Sequence, residues 1–189
     1  MQPVPMMAAP KKGMPTWLIV VLVVVGLGVV LLGTMGALAI FGVRKYLAAA
    51  KGAEALNSVT EMAANAEAYY SDPGRGAGHL CTSASSPVPS SIAVVAGKRY
   101  QSSPSDWEVD APTKGGFACV GFAMTAPQYF QYDYRLVGKG TAVGDEFHAI
   151  ARGDLDADGI TSVYDLSGKI DSPDHLVLAT APVITNPNE

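Results

Sequence analysis

The residues of this sequence best placed to do chemistry form one acidic run near the C-terminal end, GDLDADGITSVYD. Counted from Asp154, aspartates stand at the first, third, fifth and twelfth places, and Gly159 stands at the sixth. This spacing is typical of calcium loops, in which clustered oxygens bind a hard cation and glycine permits a sharp turn. The sequence therefore offers one candidate Ca²⁺ site, whose carboxylates come from Asp154, Asp156, Asp158 and Asp165.

The flanks of this run favour a different interpretation. A helix-loop-helix calcium site needs a helix on each side, whereas EFHAIAR and ITSVYDL alternate apolar and polar residues as strands do. In a β-hairpin the Asp and Gly residues would serve the turn, and Asp165 would point along the second strand. The plain hairpin and the Ca²⁺ site both stay open, and no other cofactor is expected.

No other group of residues indicates catalysis. The sequence contains no G-x-S-x-G, P-loop, H-E-x-x-H or Gly-rich dinucleotide turn. The acidic pair Asp145 and Glu146 has no base or nucleophile near it in the sequence. The tyrosines at positions 69, 70, 129, 132 and 134 are expected in the core and at interfaces. We predict that the protein is not an enzyme.

The element that must position the rest of the chain is the uncharged run of residues 17–43. It has 27 residues, more than the roughly 20 that cross a bilayer core, and only a helix satisfies its own backbone in lipid. We predict a membrane-spanning helix over residues 14–44. It is too long for the apolar part of a cleaved signal peptide. One side of it carries small residues that would let membrane helices pack closely, namely Gly28, Gly33, Gly36 and Ala37.

Charge is distributed unevenly about this run. Residues 1–52 hold five bases and no acid, whereas residues 53–189 hold eight bases and all 17 acids, a net charge of −9. An acidic C-terminal part argues against nucleic acid as a partner. Lys11 and Lys12 favour a cytoplasmic N-terminal tail over residues 1–13. The bases that follow the run nearly balance these two lysines, so charge alone does not decide the orientation. The two cysteines and the size of the C-terminal part favour placing the C-terminal domain outside the cytoplasm.

The helix is predicted to continue past the membrane as an amphipathic half over residues 45–70. One apolar stripe with 3-4-3-4 spacing comprises Leu56, Val59, Ala63, Ala66 and Tyr70. Glutamates 54, 61 and 67 lie off that stripe. The whole would form one continuous helix of about 50 residues, because no proline interrupts it before Pro73.

The remaining chain divides into a loop region and a sheet. Residues 71–116 are rich in Ser, Pro and Gly and predict a long loop, with one short possible strand at 92–96. From residue 117 to 189 the sequence predicts an antiparallel meander, with strands at 128–137, 146–152, 160–166 and 175–179. Its apolar face would pack on the helical stripe. The predicted fold class is α+β.

The two cysteines, Cys81 and Cys119, lie on the same side of the predicted anchor. With no C-x-x-C and only three scattered histidines, one disulfide in an oxidising compartment is favoured over a metal site. Two buried free thiols are the alternative.

The order of these segments resembles a type IV pilin or pilin-like protein: a short basic tail, an apolar helix that continues as an amphipathic helix, a loop region and a C-terminal antiparallel sheet. The local similarities are Lys11-Lys12-Gly13 before the apolar run, YLAAAKGAEALNSVTEMAANAEAYY after it, and PQYFQYDYR and GDLDADG in the sheet region. The resemblance implies cleavage after Gly13, which would leave Met14 as the first residue. It implies a subunit that is anchored in the inner membrane and then packs through its N-terminal helix with other pilin-like subunits in a surface filament.

The implied roles are adhesion, motility or secretion, including a type II secretion pseudopilus. One position departs from the family pattern, because Leu18 stands where the mature family members carry a glutamate. That glutamate is thought to neutralise a neighbouring subunit's N-terminal amine during assembly. The departure favours a second hypothesis, a single-pass envelope domain that never polymerises and acts as a binding module.

Overall fold

The computed structural model describes residues 15–187. The chain divides into two compact units, Met1–Arg44 and Lys45–Glu189. One helix, α1 (Thr16–Ser71), contributes residues to both units. The second unit, here called the sheet unit, contains all the other helices and strands of the described chain. The architecture is α+β, as the sequence predicts. The predicted leader-like tail, residues 1–13, lies outside the described residues.

Residues 16–44 of α1 are here called the apolar half, and most of the large apolar side chains described in it are exposed. The helix starts after Pro15, whose carbonyl accepts a hydrogen bond from the Leu18 amide at 2.9 Å. The apolar stretch of α1 has a mean hydropathy of 2.9 and is not buried, so α1 is long and apolar enough to cross a membrane. Contiguous exposed apolar surface of this extent is typical of contact with a membrane or with another protein.

Residues 45–71 of α1, here called the packed half, bury one stripe. The sequence is wrong about its exact position, because Leu56 is 39% exposed. A Cβ at Gly52 would clash with the Tyr164 hydroxyl, so the sheet lies against the side of the helix that carries Gly52. The stripe is therefore displaced by one residue at its start and comprises Ala55, Val59, Met62, Ala63, Ala66 and Tyr70.

The region between α1 and the sheet contains only short helical elements. These are a 3₁₀ helix at Ile92–Val94, α2 (Pro104–Trp107), a second 3₁₀ helix at Ala111–Thr113 and α3 (Gly116–Val120). The strand predicted at 92–96 is wrong, because amides there bond locally: the Val95 amide donates to the Ile92 carbonyl at 3.0 Å. The sheet also begins later than residue 117, since residues 116–120 are helical.

This region is fixed to the core by Trp107. The side chain is 2% exposed, and its indole N–H donates to the Ser102 hydroxyl at 2.9 Å. Its ring meets Phe117 and Phe122 edge to face, with centroids 5.0 and 5.5 Å apart. A segment with the composition of a loop is thus held by a buried aromatic cluster.

Five antiparallel strands form the sheet: β1 (Gln131–Val137), β2 (Glu146–Gly153), β3 (Ser162–Ser172), β4 (His175–Leu178) and β5 (Val183–Thr185). The order is β1-β2-β3-β4, with β5 paired to β3. The four predicted strands are confirmed as a meander. Strand β5 was not predicted, because three exposed residues are too few for an alternating pattern.

One face of the sheet packs on the packed half of α1. The largest fully buried side chains on this face are Phe130, Tyr132, Tyr134, Phe147 and Ile170. They belong to the same hydrophobic cluster as the helical stripe. Burial raises the pKa of the Tyr134 phenol above its ordinary value, so the group stays neutral.

The opposite face of β1 departs from the predicted alternation. Strict alternation of apolar and polar residues along β1 would place Gln131 and Asp133 in solvent, but they are only 7% and 2% exposed. The segment around residues 84–89 runs along the edge of β1, where the amides of Ala84 and Val88 donate to the Tyr134 and Tyr132 carbonyls, each at 2.9 Å. The Gln131 side-chain amide donates to the Pro89 carbonyl of this segment at 2.8 Å. The first half of β1 is therefore buried on both faces.

Candidate functional site

Three of the four predicted cation ligands converge in the loop between β2 and β3. One carboxylate oxygen each from Asp154, Asp156 and Asp158 lies within 4.8 Å of the other two. Asp154 is buried, whereas Asp156 and Asp158 are exposed. The cluster is acidic, compact and open on one side, which suits a hard cation with oxygen and water ligands.

The loop is shaped by its own aspartates and one glycine. The Asp156 and Asp158 carboxylates accept hydrogen bonds from the amides two residues later, at 3.3 and 2.7 Å. One oxygen of Asp154, Oδ2, accepts from the Gly159 amide at 3.2 Å. Gly159 has φ +90°, a conformation open to glycine. The sequence encodes this turn locally, since Asp and Gly are the residues such turns require.

The structure does not bring Asp165 to this cluster. Asp165 lies within β3, paired with Ile150 of β2, and its carboxylate oxygens lie 2.9 and 3.1 Å from Nδ1 of His148. The motif's twelfth place is therefore occupied by a strand residue with a different partner. The alternation of an antiparallel strand fixes this side chain, as the hairpin interpretation predicts.

His148 itself lies between two carboxylates. Its Nε2 is 3.5 Å from Glu146 Oε1, on the side of the ring opposite Asp165. Burial would lower the pKa of His148, but the hydrogen bonds and negative charges of Asp165 and Glu146 outweigh it, and the net shift is upward. This group was not singled out from the sequence, because its members come together only through strand register.

The backbone of the aspartate cluster (Asp154, Asp156 and Asp158) is hydrogen-bonded to a segment distant in the sequence. The carbonyl of Asp154 accepts a hydrogen bond from the Gly97 amide at 2.8 Å. Leu155, the next residue, is 7% exposed and belongs to the main hydrophobic cluster. The base of the loop is therefore fixed to the core, and only its tip is free.

The predicted disulfide is present between Cys81 and Cys119, whose Cα atoms are 5.8 Å apart. It joins the start of the loop region to α3. Beside it, the Arg75 guanidinium donates to the Cys119 carbonyl at 3.3 Å. The covalent link and the Trp107 cluster hold the same segment from two sides.

Glu54 joins the packed half of α1 to the start of β1. Its Oε1 accepts from the Tyr129 amide at 2.8 Å and from the Tyr132 hydroxyl at 3.0 Å. Burial, followed by the charge of Glu54, raises the pKa of Tyr132, so its hydroxyl stays protonated and donates. The sequence offered only the position of Glu54 off the apolar stripe, which does not reveal this contact.

The remaining predicted site residues lie on or before the apolar half of α1. Gly13 and Met14 are outside the described residues. A Cβ added at Gly28, Gly33 or Gly36 would meet no atom within 4 Å beyond the helix's own turns in the described chain, and Ala37 is exposed. The helix is open at each of these positions.

Comparisons with protein-family models, curated proteins and solved structures give no match to this chain. The architecture, a long N-terminal helix packed on an antiparallel sheet, is compatible with a pilin-like fold.

Proposed function

We propose that this chain is a structural subunit of a type IV pilin-like filament, anchored in the inner membrane by α1 before assembly. The observation that carries this proposal is the unbroken helix α1, which runs from an exposed apolar half into a half packed on an antiparallel sheet. Apolar surface of that size is not stable in water. On leaving the membrane it must be covered, and the same half of neighbouring copies can cover it.

The residue pattern of the apolar half supports packing between helices. Gly33 and Ala37 are four residues apart, the small-xxx-small spacing that lets membrane helices approach closely. Gly28 and Gly36 add to the small residues of this half. In a filament these residues would contact the helices of other subunits.

The composition of the sheet unit supports a location outside the cytoplasm. It is acidic and carries a disulfide, and disulfides persist in oxidising compartments. In the filament it would form the outer surface, in adhesion, motility or secretion, including a pseudopilus. No enzymatic step is part of this function.

A second candidate is a single-pass envelope domain that binds a ligand and never polymerises. Leu18 favours it, because the helix lacks the glutamate that pilin-like subunits use at this position in assembly. An uncharged span is also what a permanent anchor requires.

The test is the N-terminus and intact mass of the native protein in membrane fractions and in material sheared from the cell surface. The filament proposal expects a species beginning at Met14 in the sheared fraction. A Gly13→Val variant, which blocks cleavage at that bond, should then stay full-length and be lost from the sheared fraction. A native protein that begins at Met1 and remains in the membrane would reject the filament and favour the anchored binding domain.

A further inference from the structure

The buried carboxylates of the sheet unit differ in whether a cationic side chain accompanies them. Asp133 is 2% exposed, and its Oδ2 is paired with Arg135 at 2.7 Å and with Arg152 at 3.5 Å. Asp154 is 7% exposed, and no Lys, Arg or His of the described chain lies within 4.0 Å of it. A buried carboxylate without a cation is costly.

One oxygen of Asp154 also lacks a hydrogen bond. Oδ2 accepts from the Gly159 amide, while Oδ1 is buried and has no partner among the described residues. The turn between β1 and β2 shows the contrast, because Asp145 Oδ2 accepts from the amides of Lys139, Thr141 and Ala142 at 3.0–3.1 Å. Those amides, that of Ala142 most, hold the pKa of Asp145 below its ordinary value. Asp154 has no comparable set of donors.

The Asp154 carboxylate is part of the compact cluster. An oxygen from it lies within 4.8 Å of one from Asp156 and one from Asp158. Three negative groups this close repel one another, and a cation between them would remove that repulsion. Ile160 follows at the place where loops of this spacing add a backbone carbonyl.

We propose that Asp154, Asp156 and Asp158 bind one Ca²⁺ ion at the tip of the β2–β3 hairpin, and that Asp165 is not a ligand. All-oxygen donors in a flexible loop suit Ca²⁺ better than Mg²⁺, which demands strict octahedral geometry. The site lacks the bidentate carboxylate of an EF-hand, so its Kd falls near the 10⁻⁴–10⁻³ M typical of extracellular modules. This inference does not depend on whether the chain polymerises.

Binding would stabilise a specific junction of the fold. The Asp154 carbonyl accepts a hydrogen bond from the Gly97 amide, which follows the 3₁₀ helix at Ile92–Val94. Ordering the loop would therefore also order this contact between the hairpin and that segment. The ion would thus act as a structural clamp near the surface of the sheet unit.

The experiment is a CaCl₂ titration of the full-length protein in detergent, followed by thermal unfolding in the near-UV and by equilibrium dialysis with ⁴⁵Ca²⁺. At ten times Kd the midpoint should rise by about 5 °C. The test variant is Asp156→Asn with Asp158→Asn. Asparagine keeps the side-chain oxygen that accepts each turn amide, so the hairpin still folds and only the charge is lost.

Two control variants separate this site from general screening of an acidic surface. Asp171→Asn with Asp174→Asn removes the same charge near the β3–β4 turn and should keep the full calcium response. Asp165→Asn should also keep it, although the motif alone would count this residue as a ligand.

The proposal expects one bound Ca²⁺ per chain, lost in the Asp156→Asn, Asp158→Asn variant and kept in both controls. No calcium-dependent shift up to 10 mM (about ten times the weaker end of that Kd range) would overturn the site. A calcium-dependent shift that persists in the Asp156→Asn, Asp158→Asn variant would also overturn the site. Loss of binding in Asp165→Asn would overturn the ligand assignment, and an equal response to MgCl₂ would overturn the assignment to Ca²⁺.

Discussion

The apolar half and the packed half of α1 share one helical backbone but differ in what surrounds their side chains. Val30 in the apolar half is 64% exposed, whereas Val59 in the packed half is completely buried. In the packed half apolar residues recur every three or four positions, and the sheet covers that single stripe. In the apolar half they occupy every side of the helix. Helix formation is thus common to both halves, and the distribution of apolar residues around the axis decides the environment.

The largest expected effect comes from placing the same charge in each half. Val59→Asp buries an unpaired carboxylate in the core and should destabilise the sheet unit by about 4 kcal/mol or more. Val30→Asp should leave the unfolding midpoint of the sheet unit unchanged. If the apolar half spans a membrane, as proposed, the charge at its centre should disfavour insertion by about 3 kcal/mol. Thermal unfolding in detergent and carbonate extraction of membranes measure the two effects. If Val30→Asp destabilised the sheet unit, the separation of the two halves would be wrong.

The disulfide offers a smaller change confined to the sheet unit. Cys81 and Cys119 are 38 residues apart. Removing a cross-link that closes a loop of this length should lower the free energy of unfolding by about 3–4 kcal/mol, because the unfolded chain gains entropy. The double variant Cys81→Ala, Cys119→Ala should therefore unfold at lower denaturant concentration while its membrane retention stays at the wild-type level. Cys81→Ala alone is the matched control, because it also lacks the disulfide but keeps the Cys119 thiol. Wild-type stability in the double variant would contradict the role assigned to this link.

The smallest expected effect concerns the face of the sheet that α1 does not cover. The pKa of folded His148 is raised above the roughly 6.5 of an unfolded chain, so its protonated form favours folding. That stabilisation is fully present below about pH 6.5 and is lost as the pH rises through the raised pKa. Because the side chain is 26% exposed, the contribution should stay below about 1 kcal/mol.

The measurement for His148 is denaturant unfolding between pH 5.5 and 8. The stability difference between wild type and His148→Gln should shrink as the pH rises, and Asp165→Asn should reduce this dependence. A difference that is flat or grows with pH would contradict the sign.

Much of the fold could be predicted because its patterns are local. The apolar run, the absence of proline before Pro73 and the alternating strands each report on neighbouring residues. They correctly gave α1, four strands and the α+β class. The aspartate spacing likewise located the loop, because the turn is built from its own side chains. The disulfide was the favoured interpretation of the two cysteines, and the structure confirms it over two free thiols.

The tertiary structure decided what local patterns do not encode. Leu56 is exposed because the sheet lies against the side of Gly52, and Asp133 is buried beside Arg135 and Arg152. Glu54 accepts hydrogen bonds from residues 75 and 78 positions away.

The sequence by itself therefore determined which elements form and which segment is apolar throughout. Only the tertiary structure decided that Asp165 turns to His148 and that Asp154 is buried without a cationic partner among the described residues. The physical reason is that periodicity and turn chemistry act over a few residues, whereas burial and pairing depend on which distant segments meet in the folded chain.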